Sequence, residues 1–243
     1  MSILVLIVNR YTRNSDENIK RLRHLFSASY FDTQVVGSEE ANENQLIISL
    51  LKYAREGPYK DQVPQYTWTG LPVLLIMDNS VSLLHPADIK DYLTQGIAQL
   101  DRHRADLLYL TTWNDKCNKY TTVAPETPYL RWTIQPSATQ AVLYPPRTRD
   151  RLVDKLKENP SVNLQRYISE ELRSGHLEAM AFVPNILAYD VSLATNTTDY
   201  QRANACQYSD PDPVNSNLGP IIWFILIVII AIGIGYLLLQ YFG

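Results

Sequence analysis

A run of five apolar residues at 73–77, VLLIM, is the feature that most constrains the fold of this chain. A continuous apolar run of this length indicates a strand buried on both faces, as in the middle of a parallel sheet. Three short polar residues, Asp78, Asn79 and Ser80, follow it directly. Because open α/β sheets bind ligands at the carboxyl ends of their strands, we expect any site to begin there.

The pattern on both sides of this strand predicts alternating strands and helices. Strand-like apolar stretches at 3–8, 33–36 and 105–110 are separated by apolar stripes of helical period that begin near residues 14, 39 and 86. This order is typical of βαβ units and predicts a mostly parallel sheet flanked by helices. The second half predicts short strands at 130–134, 139–144, 177–182 and 186–189, with helices at 146–156 and 161–173. We assign residues 1–195 to one α/β domain.

Composition excludes several classes of protein. The net charge of −3 gives no indication of a nucleic-acid partner. Two cysteines, Cys117 and Cys206, are too few for a disulfide framework, and both a single bridge and two free thiols stay open. The four histidines share no metal-ligand spacing, and the chain has neither a phosphate-binding glycine loop nor a nucleophile elbow.

The C-terminal segment 220–242 contains no charged residue. A segment of this length can cross a hydrocarbon core of ~30 Å. Trp223 lies near one end and Tyr236 and Tyr241 near the other, as in an aromatic belt. The start of the chain lacks the pattern of a signal peptide. We therefore expect a polar linker at 196–219, a single transmembrane anchor at 220–242, and an N-terminal domain on the cytosolic side.

The chemistry at the end of the 73–77 strand depends on a second carboxylate. Mg²⁺ and Mn²⁺ are hard cations that need several oxygen ligands to hold a diphosphate. Asp78 is the only acid among residues 78–80, and Asp115, which follows the 105–110 strand beside Asn114, is the candidate for a second one. The alternative is that both positions are polar strand ends or turns whose side chains bond their own backbone.

Several segments resemble the glycosyltransferase family 25 domain, which includes lipopolysaccharide and collagen galactosyltransferases, and especially its degenerate members in large DNA viruses. These segments are residues 3–10, LPVLLIMDNSVSLL at 71–84, ADLLYLTTWNDKC at 105–117, QAVLYPPRTRDRL at 140–152, and residues 161–193. The resemblance covers roughly residues 1–206. It implies a sugar-nucleotide-binding α/β fold of the GT-A kind.

The departures from that family concern its acidic residues. The resemblance implies a Glu-Asp-Asp type motif, which holds a divalent metal and the diphosphate, where this chain has residues 78–80, and a further acid where it has Asn163. Losing these carboxylates removes the main electrostatic stabiliser of a metal-dependent transfer. The resemblance therefore implies a vestigial donor and metal site with no catalytic residue and no bound metal, formed by Asp78, Asn79, Ser80, Asn114, Asp115 and Asn163.

The resemblance and the apolar tail together imply a function. We expect a catalytically degenerate, membrane-anchored structural component, a minor capsid protein that links the inner membrane of a large icosahedral DNA virus to its capsid shell. Its partners would be the lipid bilayer of the virion inner membrane and other structural proteins of the assembly, without a cofactor. The alternatives are an active membrane-bound glycosyltransferase that uses a sugar nucleotide with Mn²⁺ or Mg²⁺ at an altered site, and a host-membrane interaction protein outside the particle.

Overall fold

The computed structural model describes residues 2–11, 15–40, 42–56, 70–84, 86–112, 121–133, 136, 140–158 and 162–190. They form a mixed α/β fold with a seven-stranded, mostly parallel sheet and helices on both of its faces. The predicted α/β class is confirmed. The elements in chain order are β1 (Ile3–Asn9), α1 (Ser15–Leu25), β2 (Phe31–Gly37), α2 (Glu43–Glu56), β3 (Val73–Met77), β4 (Ser80–Ser82), α3 (Pro86–His103), β5 (Leu107–Tyr109), β6 (Leu130–Thr133), β7 (Ala141–Tyr144), α4 (Pro146–Glu158), α5 (Leu164–Arg173), β8 (Ala179–Phe182) and β9 (Leu187–Tyr189).

The large sheet has the strand order β2-β1-β3-β7-β5-β8-β6. Strand β3 is buried along its whole length, as its apolar run predicts. It pairs in parallel with β1 but antiparallel with β7, within the mostly parallel sheet that the sequence predicts. The chain between β5 and β7 includes β6, and the described residues of this connection contain no helix. Without a crossover helix, a returning strand pairs antiparallel with its neighbours.

Both faces of the sheet are covered. Leu4, Leu6 and Val8 of β1 face the layer formed by α2, α4 and α5. The intervening residues Ile3, Val5 and Ile7 pack with α1 and α3 on the other face. Because both faces are buried, β1 and β3 consist of unbroken apolar residues instead of alternating with polar ones.

Helix α3 packs unusually close to the sheet at Gly96. A Cβ atom at this position would lie 2.8 Å from Cζ of Phe182 and 3.0 Å from Cδ2 of Leu108. Glycine therefore allows the helix to sit directly on β5 and β8, although it lowers the intrinsic helix stability by about 1 kcal/mol relative to alanine.

A second, two-stranded sheet lies next to the end of β3. In it β4 pairs antiparallel with β9, with Ser80 opposite Tyr189. No sequence pattern predicts β4, because a three-residue strand is too short to show a period. Helix α2 also begins later than predicted. The side chain of Asn42 accepts hydrogen bonds from the backbone N–H of Asn44 and Gln45 and caps the helix at that point.

No helix within the described ranges is long and apolar enough to cross a membrane. The predicted anchor at 220–242, with Trp223, Tyr236 and Tyr241, and the predicted linker at 196–219 lie outside the described residues. The described residues all belong to one compact unit within Met1–Ser209.

A fully buried arginine joins α4 to two other elements. The Arg149 side chain has no exposed surface, and its Nε donates to the Asp150 carboxylate at 2.9 Å. Its Nη1 donates to the carbonyl oxygens of Ala54, in the last turn of α2, and of Leu71, just before β3, at 3.4 Å each. The guanidinium therefore satisfies one carbonyl group in the last turn of α2, where intrahelical donors run out, and a second one just before β3.

We expect Arg149→Met to lower the free energy of unfolding by about 3 kcal/mol, because buried carbonyl groups lose their donor. Chemical denaturation of the full-length protein measures the change. The matched control is Arg151→Met, two positions along the same helix, where the side chain is 44% exposed and the loss should stay within about 0.5 kcal/mol. Equal losses for the two variants would contradict a role for Arg149 in joining these elements.

Candidate functional site

The carboxylate at the end of β3 is part of the backbone framework. Asp78 has no exposed surface. Its backbone N–H donates to the carbonyl oxygen of Val8 at 2.9 Å, and its Oδ2 accepts a hydrogen bond from the backbone N–H of Arg10 at 2.9 Å. Asp78 thus fastens the chain leaving β1 to the chain leaving β3. A carboxylate in this position replaces the ladder bonds that stop where the strands end.

Asn79 and Ser80 continue from Asp78 into the small sheet. The carbonyl oxygen of Asn79 accepts a hydrogen bond from the backbone N–H of Asp190 at 2.8 Å. The Ser80 hydroxyl is buried and donates to the carbonyl oxygen of Gln140 at 3.4 Å. Within the described part of the chain, the buried Oδ1 of Asn79 has no hydrogen-bond partner. Each of the three residues predicted as a site is therefore hydrogen-bonded to the backbone of a neighbouring segment.

A second carboxylate at this place comes from a part of the chain that the sequence analysis missed. Asp190 directly follows β9, and its Oδ2 accepts a hydrogen bond from Nδ2 of Asn18 in α1 at 3.1 Å. Asn18 is 2% exposed although it is polar. One signal was present in the sequence: Asn18 adjoins the apolar stripe of α1, where a polar residue must find a buried partner.

The structure places Asn163 away from this group. Asn163 is the N-cap of α5, and its side chain accepts a hydrogen bond from the backbone N–H of Arg166 at 2.9 Å. The next residue, Leu164, packs on the face of the sheet covered by α2, α4 and α5. Ser80 instead lines a cavity with Leu22 and Leu25 of α1, which belong to the opposite face.

The other predicted site residues, Asn114 and Asp115, lie outside the described residues. The strand that leads to them ends at the same edge of the sheet as β3. There the side chain of Asn185 accepts a hydrogen bond from the backbone N–H of Thr112 at 3.0 Å and donates to its carbonyl oxygen at 2.9 Å. This double contact fixes the direction in which the chain leaves β5.

The residues at the end of β3 fit a diphosphate-bound divalent metal poorly. Such an ion takes six or more oxygen ligands, several of them charged. Here one oxygen of Asp78 is occupied by the Arg10 N–H, the following two residues are neutral, and one oxygen of Asp190 is occupied by Asn18. Among the described residues, no group of three or more histidine, cysteine or acidic side chains could hold a metal ion.

If Asp78 fastens β1 to β3, its removal should lower stability. We expect Asp78→Ala to lower the free energy of unfolding by about 2 kcal/mol, because the buried N–H of Arg10 loses its acceptor. Asp78→Asn retains an oxygen for this N–H and should cost less. Urea denaturation of the full-length protein provides the comparison. An alanine variant as stable as the original chain would show that the contact contributes nothing.

No protein-family model matches this chain, and no curated protein is significantly similar to it. The resemblance to glycosyltransferase family 25 therefore depends on the sequence segments quoted above.

Proposed function

We propose that this chain is a glycosyltransferase-like protein of the GT-A kind that has lost transfer activity and serves as a membrane-anchored structural component. The observation that carries the proposal is the position of Asp78. Its carboxylate is completely buried, and one of its oxygens accepts the Arg10 N–H. At this point of the fold, a transferase would need a carboxylate whose oxygens face a metal and a diphosphate.

The neighbours of Asp78 support the same proposal. Ser80 is hydrogen-bonded to the backbone at Gln140, and Asn79 accepts the N–H of Asp190 through its carbonyl group. Asn163, at the other position where the resemblance implies an acid, caps a helix. These residues have structural tasks that need no negative charge. A mostly parallel sheet with Asp78 at the carboxyl end of a central strand agrees with the GT-A-like assignment, although a fold by itself assures no activity.

The location of the protein is proposed from the sequence. The uncharged segment 220–242 would anchor the chain in a bilayer, with the N-terminal domain on the cytosolic side. The chain resembles degenerate members of glycosyltransferase family 25 in large DNA viruses. This resemblance favours the inner membrane of a virion as that bilayer. In this setting the domain would be a minor capsid protein that connects the membrane to the capsid shell through other structural proteins.

We expect the full-length chain to stay in the membrane pellet after extraction with alkaline carbonate, because a segment of this length and apolarity is held by the hydrocarbon core. A variant that ends at residue 217 should move to the supernatant. Immunoblotting of the two fractions measures the distribution. Release of the full-length chain by carbonate would contradict the anchor.

One observation favours the alternative of an active sugar-nucleotide transferase. The backbone N–H of Asp190 donates to the carbonyl oxygen of Asn79, whose side-chain Oδ1 is buried and has no partner within the described residues. Carboxylate and amide oxygens, which these two residues carry, are ligand types that suit a hard cation.

Calorimetric titration of the full-length protein with Mn²⁺ and a panel of sugar nucleotides separates the two functions. A structural component should show no saturable, metal-dependent binding at about 1 mM ligand. A transferase should show saturable binding that needs Mn²⁺ and is lost in Asp190→Asn. The matched control is Glu158→Gln, an exposed acid at the end of α4. Metal-dependent binding that survives this control but not Asp190→Asn would overturn the proposed function.

A further inference from the structure

A cavity of about 210 Å³ lies between the N-terminal ends of α2 and α5, and the proposed function does not account for it. Apolar side chains form part of its wall, namely Ile47, Leu164, Ile168 and Pro136. Polar groups form the rest. A concave, partly apolar cavity with a few convergent polar groups is the usual form of a small-molecule site.

A buried tyrosine forms part of the wall of this cavity. Tyr144 is 3% exposed and lines the wall. Burial and the neighbouring Glu43 carboxylate raise the pKa of the Tyr144 phenol well above its ordinary value, so that it keeps its proton. A protonated phenol in the wall can donate a hydrogen bond to an acceptor on a bound molecule.

Two asparagines add donors whose orientation is fixed. The amide oxygen of Asn42 accepts the N–H groups of Asn44 and Gln45, and the amide oxygen of Asn163 accepts the N–H of Arg166. Only an oxygen can accept a hydrogen bond from a backbone N–H, so these caps decide which atom of each amide is nitrogen. The amino groups of Asn42 and Asn163 are then the remaining polar atoms of two side chains that line the cavity.

The two helix ends are held together across the cavity. The side chain of Asn44 in α2 accepts the backbone N–H of Leu164 at the start of α5 and donates to the carbonyl oxygen of Val162 at 3.0 Å. This contact joins elements that are far apart in the sequence. The cavity is therefore bounded by two helices with a direct polar connection, and its walls are formed before any ligand arrives.

The charges around the cavity balance one another. Glu43 contributes a carboxylate, which disfavours anions. The N-terminal ends of α2 and α5 contribute the positive ends of two helix dipoles, which disfavour cations. The wall offers hydrogen-bond donors at Tyr144, Asn42 and Asn163 and an acceptor at Glu43.

We propose that this cavity binds a small uncharged polyol, such as a cyclic polyol or a single free sugar ring. Each hydroxyl of such a molecule can both donate and accept a hydrogen bond. This matches a cavity whose wall carries several donors and the Glu43 carboxylate as an acceptor. Its C–H face can pack on the apolar wall. This binding goes beyond the proposed function and needs no metal. The cavity is separate from the end of β3, because it lies on the face of the sheet opposite the one that Ser80 faces.

The experiment uses the full-length chain in a non-glycosidic detergent with EDTA, so that neither detergent sugars nor metal ions contribute. The probes are myo-inositol and glucose, followed by saturation-transfer NMR and calorimetry. Tyr144→Phe removes only the hydroxyl and should weaken binding at least tenfold without lowering the melting temperature. The matched control is Tyr30→Phe, which also removes a tyrosine hydroxyl, here a buried one on the α1 and α3 face. It should bind the probes like the original chain.

A second variant keeps the helix cap while it removes a donor. In Asn163→Asp a carboxylate oxygen still accepts the Arg166 N–H, but the amino group is gone, so binding should weaken while α5 stays capped. Saturable binding that is lost in Tyr144→Phe and kept in Tyr30→Phe supports the polyol site. No saturable binding at about 10 mM of either probe, or binding that Tyr144→Phe leaves unchanged, would overturn it. Neither result bears on the Mn²⁺ titration, since EDTA is present throughout.

Discussion

Burial of β1 and β3 on both faces is the constraint on which the rest of this structure depends. Two adjacent strands without an exposed face need a helical layer on each side, and the chain supplies α1 and α3 for one face and α2, α4 and α5 for the other. Polar chemistry is then confined to the edges of the sheet and to the helix ends. At one such edge, Asp78 completes the hydrogen bonding of the chain that leaves β1. The same burial that makes the sheet stable thus directs its terminal acid toward the backbone.

The sequence predicted those parts of the fold that depend on local patterns. Strand β3 has the predicted bounds, and α3 begins at Pro86, where proline at the first turn favours a helix start. Strand β7 was predicted as a strand, but its antiparallel position between β3 and β5 depends on long-range pairing that a local pattern does not encode. The contact between Asn18 and Asp190 was missed for the same reason, because 172 positions separate the two residues.

The candidate site was predictable only where it is contiguous. Asp78, Asn79 and Ser80 stay together because they are neighbours in the chain. Asn163 was associated with them through the family resemblance, yet the structure gives it the task of capping α5 on the other face. Asparagine is among the best residues for an N-cap, which contributes about 1 kcal/mol to stability. A neutral residue at a position where the resemblance implies an acid therefore has a stabilising role of its own.

The cavity and the end of β3 differ in what holds them. The end of β3 is fixed by backbone hydrogen bonds inside a sheet, so its geometry follows from strand pairing. The cavity is fixed by the Asn44 contact between two helices, of which α2 follows an outer strand and α5 precedes β8. A molecule bound there would touch both helices at once and would stabilise the folded chain by mass action, with the logarithm of its concentration once the site is mostly filled. Every cooperatively folded element, β3 included, would share this stabilisation, because the ligand binds the folded state. Of the two places, the cavity is therefore the one where binding can act on the stability of the domain without disturbing its central strand.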